Sequence, residues 1–243
     1  MYINDTHILY YFFAGLIGLL IGQFIDWAVI RLKDDKKVFC REFFTMYLKN
    51  LKLNCYTMYL NAALYIVLLL IYGVSVQFLE YALLVPMLLT IVIVDFTKHK
   101  IPNRVLLSMF EIEIVFAAIA GFTDLSVFLF KLLGMVIGAG LFLGITWFGS
   151  NTAKKEVMGL GDVKLMGIIG LVFGLTNMII ISVLSFVMAA IYSLVLIIAK
   201  KKKLSSYIPF GPFIVIASLI VMLLPNTWLM KAILEIFTLG FYN

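Results

Sequence analysis

The segment Gly159-Leu160-Gly161-Asp162-Val163-Lys164-Leu165-Met166 carries a single carboxylate, that of Asp162. A long apolar run follows without interruption, so Asp162 is expected at or just inside the edge of a membrane. Ionisable side chains are costly within a bilayer, and those that occur there usually serve a function. Asp162 is therefore the first candidate for a functional residue.

A second carboxylate occupies a matching position earlier in the chain. Asp95 closes the apolar run of residues 83–94 and is followed by Phe96-Thr97-Lys98-His99-Lys100-Ile101-Pro102-Asn103. Proline lacks a backbone donor and restricts the residue before it, so this segment predicts a helix break. Both aspartates are expected near the same membrane face, each beside a turn.

The composition predicts an all-α, polytopic membrane protein. Of its 243 residues, 64% are hydrophobic and 13% are charged, whereas ordinary soluble domains are about a quarter charged. The length suits about eight transmembrane helices of roughly 20 residues each. The first apolar run is too long for the core of a signal peptide and is expected to be a retained helix. The predicted spans are residues 7–30, 56–72, 77–94, 104–121, 125–148, 160–173, 178–199 and 208–224.

The basic residues fall in alternate connections between the predicted spans. Lysine and arginine cluster in residues 31–52, 98–104, 154–164 and 200–203, while the connections at 73–76, 123–126 and 174–177 carry none. This pattern predicts that the basic loops are cytoplasmic. We therefore expect a multi-pass protein of the inner (plasma) membrane, with both aspartates facing the cytoplasm. The same distribution argues against nucleic-acid binding despite the net charge of +6.

Other common catalytic and metal-binding patterns are missing from the sequence. The two histidines, His7 and His99, are expected on opposite membrane faces, and there is no His-Glu-x-x-His motif or glycine-rich nucleotide loop. Cys40 and Cys55 do not supply the four ligands of a zinc site and are expected to be unpaired thiols. No metal site is predicted.

Two neighbouring aspartates could hydrolyse a peptide bond. Carboxylates about 3 Å apart cannot both ionise easily, so the pair holds one proton. The ionised member accepts a proton from water while the other donates to the substrate carbonyl. Gly159 and Gly161 would let the backbone approach a substrate strand. The alternative is that Asp95 and Asp162 only cap helices or pair with nearby lysines.

Three motifs resemble those of the prepilin peptidases, the type IV leader peptidase family of GxGD intramembrane aspartic proteases. They are Asp95 with Ile101-Pro102-Asn103, the segment from Gly159 to Leu165, and Pro209-Phe210-Gly211-Pro212, which together span about residues 80–225. The resemblance implies cleavage of the basic leader of type IV prepilin-like proteins, with Asp95 and Asp162 catalytic and no cofactor. The residues implied to support the active site are Gly159, Gly161, Lys164, Ile101, Pro102, Asn103, Pro209, Phe210, Gly211 and Pro212.

The N-terminal part departs from the bifunctional members of that family. Gly22-Gln23-Phe24-Ile25-Asp26-Trp27 is similar to their opening segment, but they carry two Cys-x-x-Cys pairs where this loop has only Cys40, with Cys55 at its far end. The departure argues against N-methylation of the new terminus, and S-adenosylmethionine is expected only if that activity is retained. We accordingly divide the chain into a first helix with a degenerate methylation region, residues 1–56, and a peptidase domain, residues 57–243.

Three other functions fit these residues less well. A proton-coupled transporter predicts symmetric halves with broken helices, and no such symmetry is visible in the sequence. A non-catalytic membrane subunit of a pilus or secretion assembly would not need both aspartates. A presenilin-like protease shares Gly-x-Gly-Asp but not the Ile-Pro-Asn segment. Asp26 is expected at the membrane interface, and one of Glu111 and Glu113 is expected to face the protein interior.

Overall fold

The computed structural model describes residues 2–3, 6–34, 38, 56–153, 158–199 and 209–224. These residues form an almost entirely helical protein, as predicted, with one short strand pair before the first helix. The elements are β1 (Tyr2–Ile3), β2 (Thr6–His7), α1 (Ile8–Lys33), α2 (Tyr56–Tyr72), α3 (Val76–Lys98), α4 (Asn103–Thr123), α5 (Leu125–Ala153), α6 (Leu160–Ile198) and α7 (Gly211–Leu223).

Five of these helices, α1, α3, α4, α5 and α6, are long and apolar enough to cross a membrane. The other two, α2 and α7, are shorter apolar helices. Large apolar side chains such as Phe12 and Leu143 are more than half exposed, as expected where a helix faces lipid rather than protein. The chain is a multi-pass membrane protein.

Helix α6 is a hairpin of two helical segments rather than one rod. Its 39 residues would extend ~58 Å as a straight helix, about twice the hydrocarbon thickness of a bilayer. At Gly174 the backbone is non-helical, with φ 71° and ψ 178°. A Cβ added to Gly138 would lie 2.9 Å from the carbonyl oxygen of Met166 and 3.2 Å from Cγ of Met178. Because both segments reach the same level of α5, the chain reverses at Gly174, as the sequence predicted.

The chain divides into two compact units, Met1–Lys98 and His99–Asn243. In the first unit, α1 and α2 approach so closely that a Cβ on Gly18 would lie 2.6 Å from Cα of Ala62. Asn61 is fully buried there, and its Nδ2 donates to the carbonyl oxygen of Gly18 at 2.8 Å. The Tyr65 hydroxyl donates to the carbonyl oxygen of Ala82, which ties α2 to α3. The sequence predicted a division at residue 56 between a degenerate methylation region and a peptidase domain. That division is one of activities and not of packing, so it stays a prediction.

The second unit is organised around the packing of α5 against the hairpin of α6. A Cβ on Gly170 would lie 2.1 Å from the carbonyl oxygen of Gly134, so the two backbones touch. Gly134 and Gly138 thus act as small residues that allow close helix packing. Gly140 and Gly144 of the same helix do not, because an added Cβ there would meet nothing within 4 Å.

Several predictions fall on segments outside the described residues. These are the predictions for Cys40 and Cys55 and for the lysine cluster at 200–203.

Candidate active site

Asp162 lies in the first turn of α6. Gly159 is the N-cap of this helix, and the backbone N–H of Asp162 donates to the carbonyl oxygen of Gly159 at 3.0 Å. A carboxylate in the first turn is favoured by the positive end of the helix dipole. The side chain is nevertheless only 3% exposed. The motif therefore holds a buried acid at a helix start.

The register between α5 and α6 shows how deep this acid lies. Gly134 meets Gly170 and Gly138 meets Met166, so one further turn brings Asp162 level with Phe142. From Phe142, α5 continues to Ala153, a distance of ~16 Å at 1.5 Å per residue. Asp162 is therefore recessed along the side of α5 and does not lie at its end.

The Ile-Pro-Asn and Gly-x-Gly-Asp motifs are in direct contact. Nζ of Lys164 donates to Oδ1 of Asn103 at 3.0 Å. A Cβ added to Gly161 would lie 3.1 Å from Cβ of Ile101, so glycine leaves room for the isoleucine. Pro102 is the N-cap of α4, and its carbonyl oxygen accepts the N–H of Val105 at 3.1 Å. The two motifs thus join the starts of α4 and α6.

Asp95 lies in α3, three residues before this helix ends at Lys98. Its side chain is 3% exposed. The sequence predicted that the helix ends at Asp95, but α3 continues for nearly another turn. Thr97 stabilises this extension, because its hydroxyl donates to the carbonyl oxygens of Ile93 at 2.8 Å and Val94 at 3.0 Å. Asp95 belongs to the first compact unit and Asp162 to the second.

The Pro-Phe-Gly-Pro motif starts α7 and supplies an aromatic side chain to a cluster. Phe210 is the N-cap residue, and Gly211 and Pro212 open the helix, where a missing amide donor costs little. The Phe210 ring lies 5.8 Å from that of Phe142 and 5.0 Å from that of Phe186, measured between centroids. Since Phe142 is level with Asp162, this motif lies at the same depth along α5.

Sequence reasoning did not identify Phe142 and Phe186 as partners of this third motif. Phe142 is fully buried, and its ring centroid lies 5.5 Å from that of Phe186. Both residues stand in long apolar runs, where a phenylalanine that lines a site has the same pattern as one that faces lipid. No signal in the sequence separates the two.

One further prediction about acids agrees with the structure, and the expected place of Asp26 at the membrane interface stays a prediction. Glu113 of α4 is fully buried while Glu111 is exposed, so one of the two does face the interior. Asp26 is partly buried near the end of α1, where its Oδ2 accepts a hydrogen bond from Thr57 at 2.8 Å. Among the described residues, no group of three or more His, Cys, Asp or Glu side chains is placed to hold a metal ion.

Comparison with known proteins identifies related chains. Residues 82–194 match the model of the type IV leader peptidase family. This range includes Asp95 and Asp162 with their flanking motifs, and it ends before Pro209. No solved structure gives a significant match to the chain.

The curated relatives that match are named prepilin leader peptidase/N-methyltransferase. The protein from Aeromonas salmonicida is 28% identical over 155 residues, which cover 63% of this chain and 52% of the relative. That from Legionella pneumophila is 28% identical over 151 residues, covering 62% and 52%. That from Escherichia coli K12 is 26% identical over 132 residues, covering 54% and 57%. The chain thus spans about half the length of the curated relatives it matches.

Proposed function

We propose that this protein is an aspartic endopeptidase that cleaves the leader of type IV prepilin-like proteins, because residues 82–194 match the model of the type IV leader peptidase family. The proposal assigns Asp95 and Asp162 as the two catalytic groups. The observation that carries it is the burial of both carboxylates, each only 3% exposed, together with the contact between the Ile-Pro-Asn motif that follows Asp95 in sequence and the Gly-x-Gly-Asp motif that contains Asp162. A purely structural acid at a helix end would gain more by staying in water.

In the proposed reaction the two carboxylates converge on the substrate and share one proton. The ionised carboxylate removes a proton from water, and the resulting hydroxide attacks the carbonyl carbon of the scissile peptide. The protonated carboxylic acid donates to the carbonyl oxygen as charge develops there. Collapse of the tetrahedral intermediate breaks the C–N bond, and the leaving amine takes up a proton. The pair titrates as a unit, so the proton belongs to neither residue alone.

The depth of Asp162 supports hydrolysis at a recessed site. A carboxylate that lies ~16 Å from the end of α5, measured along the helix at 1.5 Å per residue, and is only 3% exposed is in a less polar setting than bulk water. Such a setting favours one shared proton over two full charges. The substrate's peptide bond and one water must then enter from the end of the bundle where α4 and α6 begin.

The remaining motif residues would support these carboxylates. Gly159 and Gly161 have no side chain, so the backbone before Asp162 leaves room for a substrate strand and for Ile101. The hydrogen bond from Lys164 to Asn103 would hold α6 in place. We further propose that this site faces the cytoplasm at the inner (plasma) membrane, because the adjoining connections carry the lysine and arginine clusters.

We propose that this chemistry uses no cofactor and that N-methylation is not part of it. S-adenosylmethionine would be a cosubstrate only if the chain also methylates the new N-terminus. Mass spectrometry of a mature pilin-like substrate, from cells in which this protein is the sole processing enzyme, tests the point. We expect an unmodified amine, and a mass increase of one methyl group would contradict the proposal.

Substitution of the two aspartates tests the peptidase function. We expect Asp95→Asn and Asp162→Asn each to lower the rate of leader cleavage in membranes by at least about 100-fold, the lower range for a general acid or base. The assay follows the size of a tagged prepilin-like substrate. Asp124→Asn is the matched control, because Asp124 is an exposed aspartate in another connection. This variant should cleave the tagged substrate at the normal rate.

Correct folding of the inactive variants is shown by membrane insertion and by a single symmetric peak after detergent extraction. Normal cleavage by either well-folded variant would rule out the two-aspartate mechanism. In that case a non-catalytic subunit of a pilus or secretion assembly would become the better interpretation.

A further inference from the structure

An apolar groove runs between α4, α5 and α6 on the second compact unit. It has a volume of about 670 Å³, within the range of ordinary ligand sites. Its walls include Leu106 and Phe110 of α4, Met135 and Val136 of α5, and Ile168 of α6. The two polar residues of its lining, Asn103 and Lys164, lie together at one end, joined by their 3.0 Å hydrogen bond. The groove is therefore apolar along its length and cationic at its mouth.

This groove lies on the opposite side of α6 from Asp162. Its lining on α6 comprises residues 163, 164, 167 and 168. At 3.6 residues per turn, the centre of that face is rotated by about 170° from Asp162. The carboxylate and the groove therefore face different surroundings, and the groove is not a pocket for the substrate of that acid.

The groove opens outward, where the bilayer surrounds the protein. Leu107 on one wall is 58% exposed and Val136 on another is 62% exposed. Along α4 the lining runs from Asn103 to Phe110, a depth of ~10 Å at 1.5 Å per residue. A ligand that fits has an apolar chain that enters from the lipid side and an anionic group at the end where α4 and α6 begin.

We propose that this groove binds a membrane phospholipid, with its phosphate against Lys164 and one acyl chain between α4, α5 and α6. Charge complementarity selects this occupant. The lysine ammonium has three donors, and one of them is used by Asn103, which fixes the position of Nζ at the mouth. The other two could donate to the phosphate of a lipid headgroup. A basic leader peptide would instead be repelled there.

Photo-crosslinking tests the proposal without any assay of peptidase activity. The full chain is reconstituted in phosphatidylethanolamine vesicles containing phosphatidylglycerol with a diazirine in one acyl chain, and labelled peptides are identified by mass spectrometry. We expect labelling concentrated on α4 between Leu106 and Phe110 and on α5 at Met135 and Val136. Lys164→Met should lower this labelling about fivefold, the contribution of one lysine near an anionic surface.

Filling the groove gives a second, independent test. Val136→Trp places a large side chain in the groove from its exposed rim and should remove most of the labelling. Leu143→Trp is the matched control, because Leu143 is similarly exposed on α5, at 54%, and does not line the groove. Lys131→Met is the matched control for Lys164→Met, because it also removes a lysine.

Two results would overturn the proposal. One is uniform labelling of the exposed apolar surface that is unchanged by Lys164→Met and Val136→Trp. The other is loss of groove labelling when a prepilin-like substrate is added in excess, which would assign the groove to a protein segment. Because the readout is lipid labelling, failure here leaves the two-aspartate mechanism untouched, and inactive Asp162→Asn protein should label normally.

Discussion

Single residues with special backbone requirements determine where this chain turns. Gly174 has φ 71° and ψ 178°, a conformation that is essentially restricted to glycine. It allows the two segments of α6 to fold back on each other without a loop. The hairpin, and with it the position of the Asp162 helix on α5, depends on this one residue.

Replacement of Gly174 should therefore be more harmful than replacement of other glycines. We expect Gly174→Ala to lower the free energy of unfolding by about 1–3 kcal/mol, measured by thermal unfolding in detergent. Gly144→Ala is the control, since an added Cβ there meets nothing within 4 Å, and it should be neutral or stabilising by up to about 1 kcal/mol. Equal effects of the two substitutions would refute the strained hairpin turn.

Asp124, in the turn between α4 and α5, gives a prediction on pH. Its Oδ1 accepts hydrogen bonds from the hydroxyl of Ser126 at 2.7 Å and from the N–H of Ser126 at 2.8 Å. These hydrogen bonds hold the pKa of Asp124 below its ordinary value of 3.8. The folded turn thus favours the ionised form, so its stabilisation is complete above that value and is lost as the pH falls through the lowered pKa.

Comparison of the protein with Asp124→Ala over a range of pH tests this linkage. The difference in Tm should be present at neutral pH and should shrink once the pH falls below 3.8. Ser126→Ala removes the hydroxyl donor but keeps the N–H, so it should give a smaller difference of the same sign. A difference that grows in acid would show that the hydrogen bonds do not favour the ionised carboxylate.

At the scale of helices, the candidate site depends on how α4 and α6 begin. Lys164 and Asn103 join the two helix starts, and Gly161 leaves space for Ile101. Asp162 lies between the glycine and the lysine, so movement of α6 relative to α4 would displace its carboxylate. We therefore expect this pair to position Asp162 and not to react with substrate.

This positioning role predicts coupled effects of substitution. A hydrogen bond to a charged group contributes about 1.5 kcal/mol or more, so we expect Asn103→Ala and Lys164→Met each to lower kcat for leader cleavage about tenfold. The double variant should be no worse than either single variant, because both remove the same interaction. Lys164→Arg, which keeps a charged donor, should recover part of the rate. Additive losses would indicate that the two residues act separately.

At the scale of the whole chain, charge and hydropathy together predict the orientation of every helix. The connections rich in lysine and arginine are expected in the cytoplasm, and the short turns after α2 and α4 outside. In this predicted arrangement the starts of α4 and α6 would lie at the cytoplasmic face. It is also the arrangement that the proposed cleavage reaction requires.

Reporter fusions test this topology. Alkaline phosphatase joined after Asp124 should be active, since the enzyme folds only outside the cytoplasm, whereas green fluorescent protein joined after Asn103 or Met158 should fluoresce. The reverse pattern at Asp124 would contradict the orientation. The connection after Gly73 should behave like that at Asp124.

The helical membrane architecture, the position of nearly every helix and the break at Gly174 could all be predicted from the amino-acid sequence. These features are local: apolar runs must be helical in a bilayer because every backbone group needs a partner there, and proline and glycine end helices through their own backbone chemistry. The two candidate aspartates were also found in this way, since each stands beside a turn at the edge of an apolar run.

Which of these residues contact one another is visible in the tertiary structure and not in the sequence. Lys164 contacts Asn103, and Gly161 contacts Ile101. The rings of Phe142 and Phe186 lie around that of Phe210. On α5, Gly134 and Gly138 face another helix, whereas Gly140 and Gly144 do not. In a membrane protein the side facing lipid and the side facing another helix are equally apolar, so periodicity does not tell them apart. The depth of Asp162 was likewise decided by the register of α6 on α5, which depends on contacts between glycines far apart in the chain.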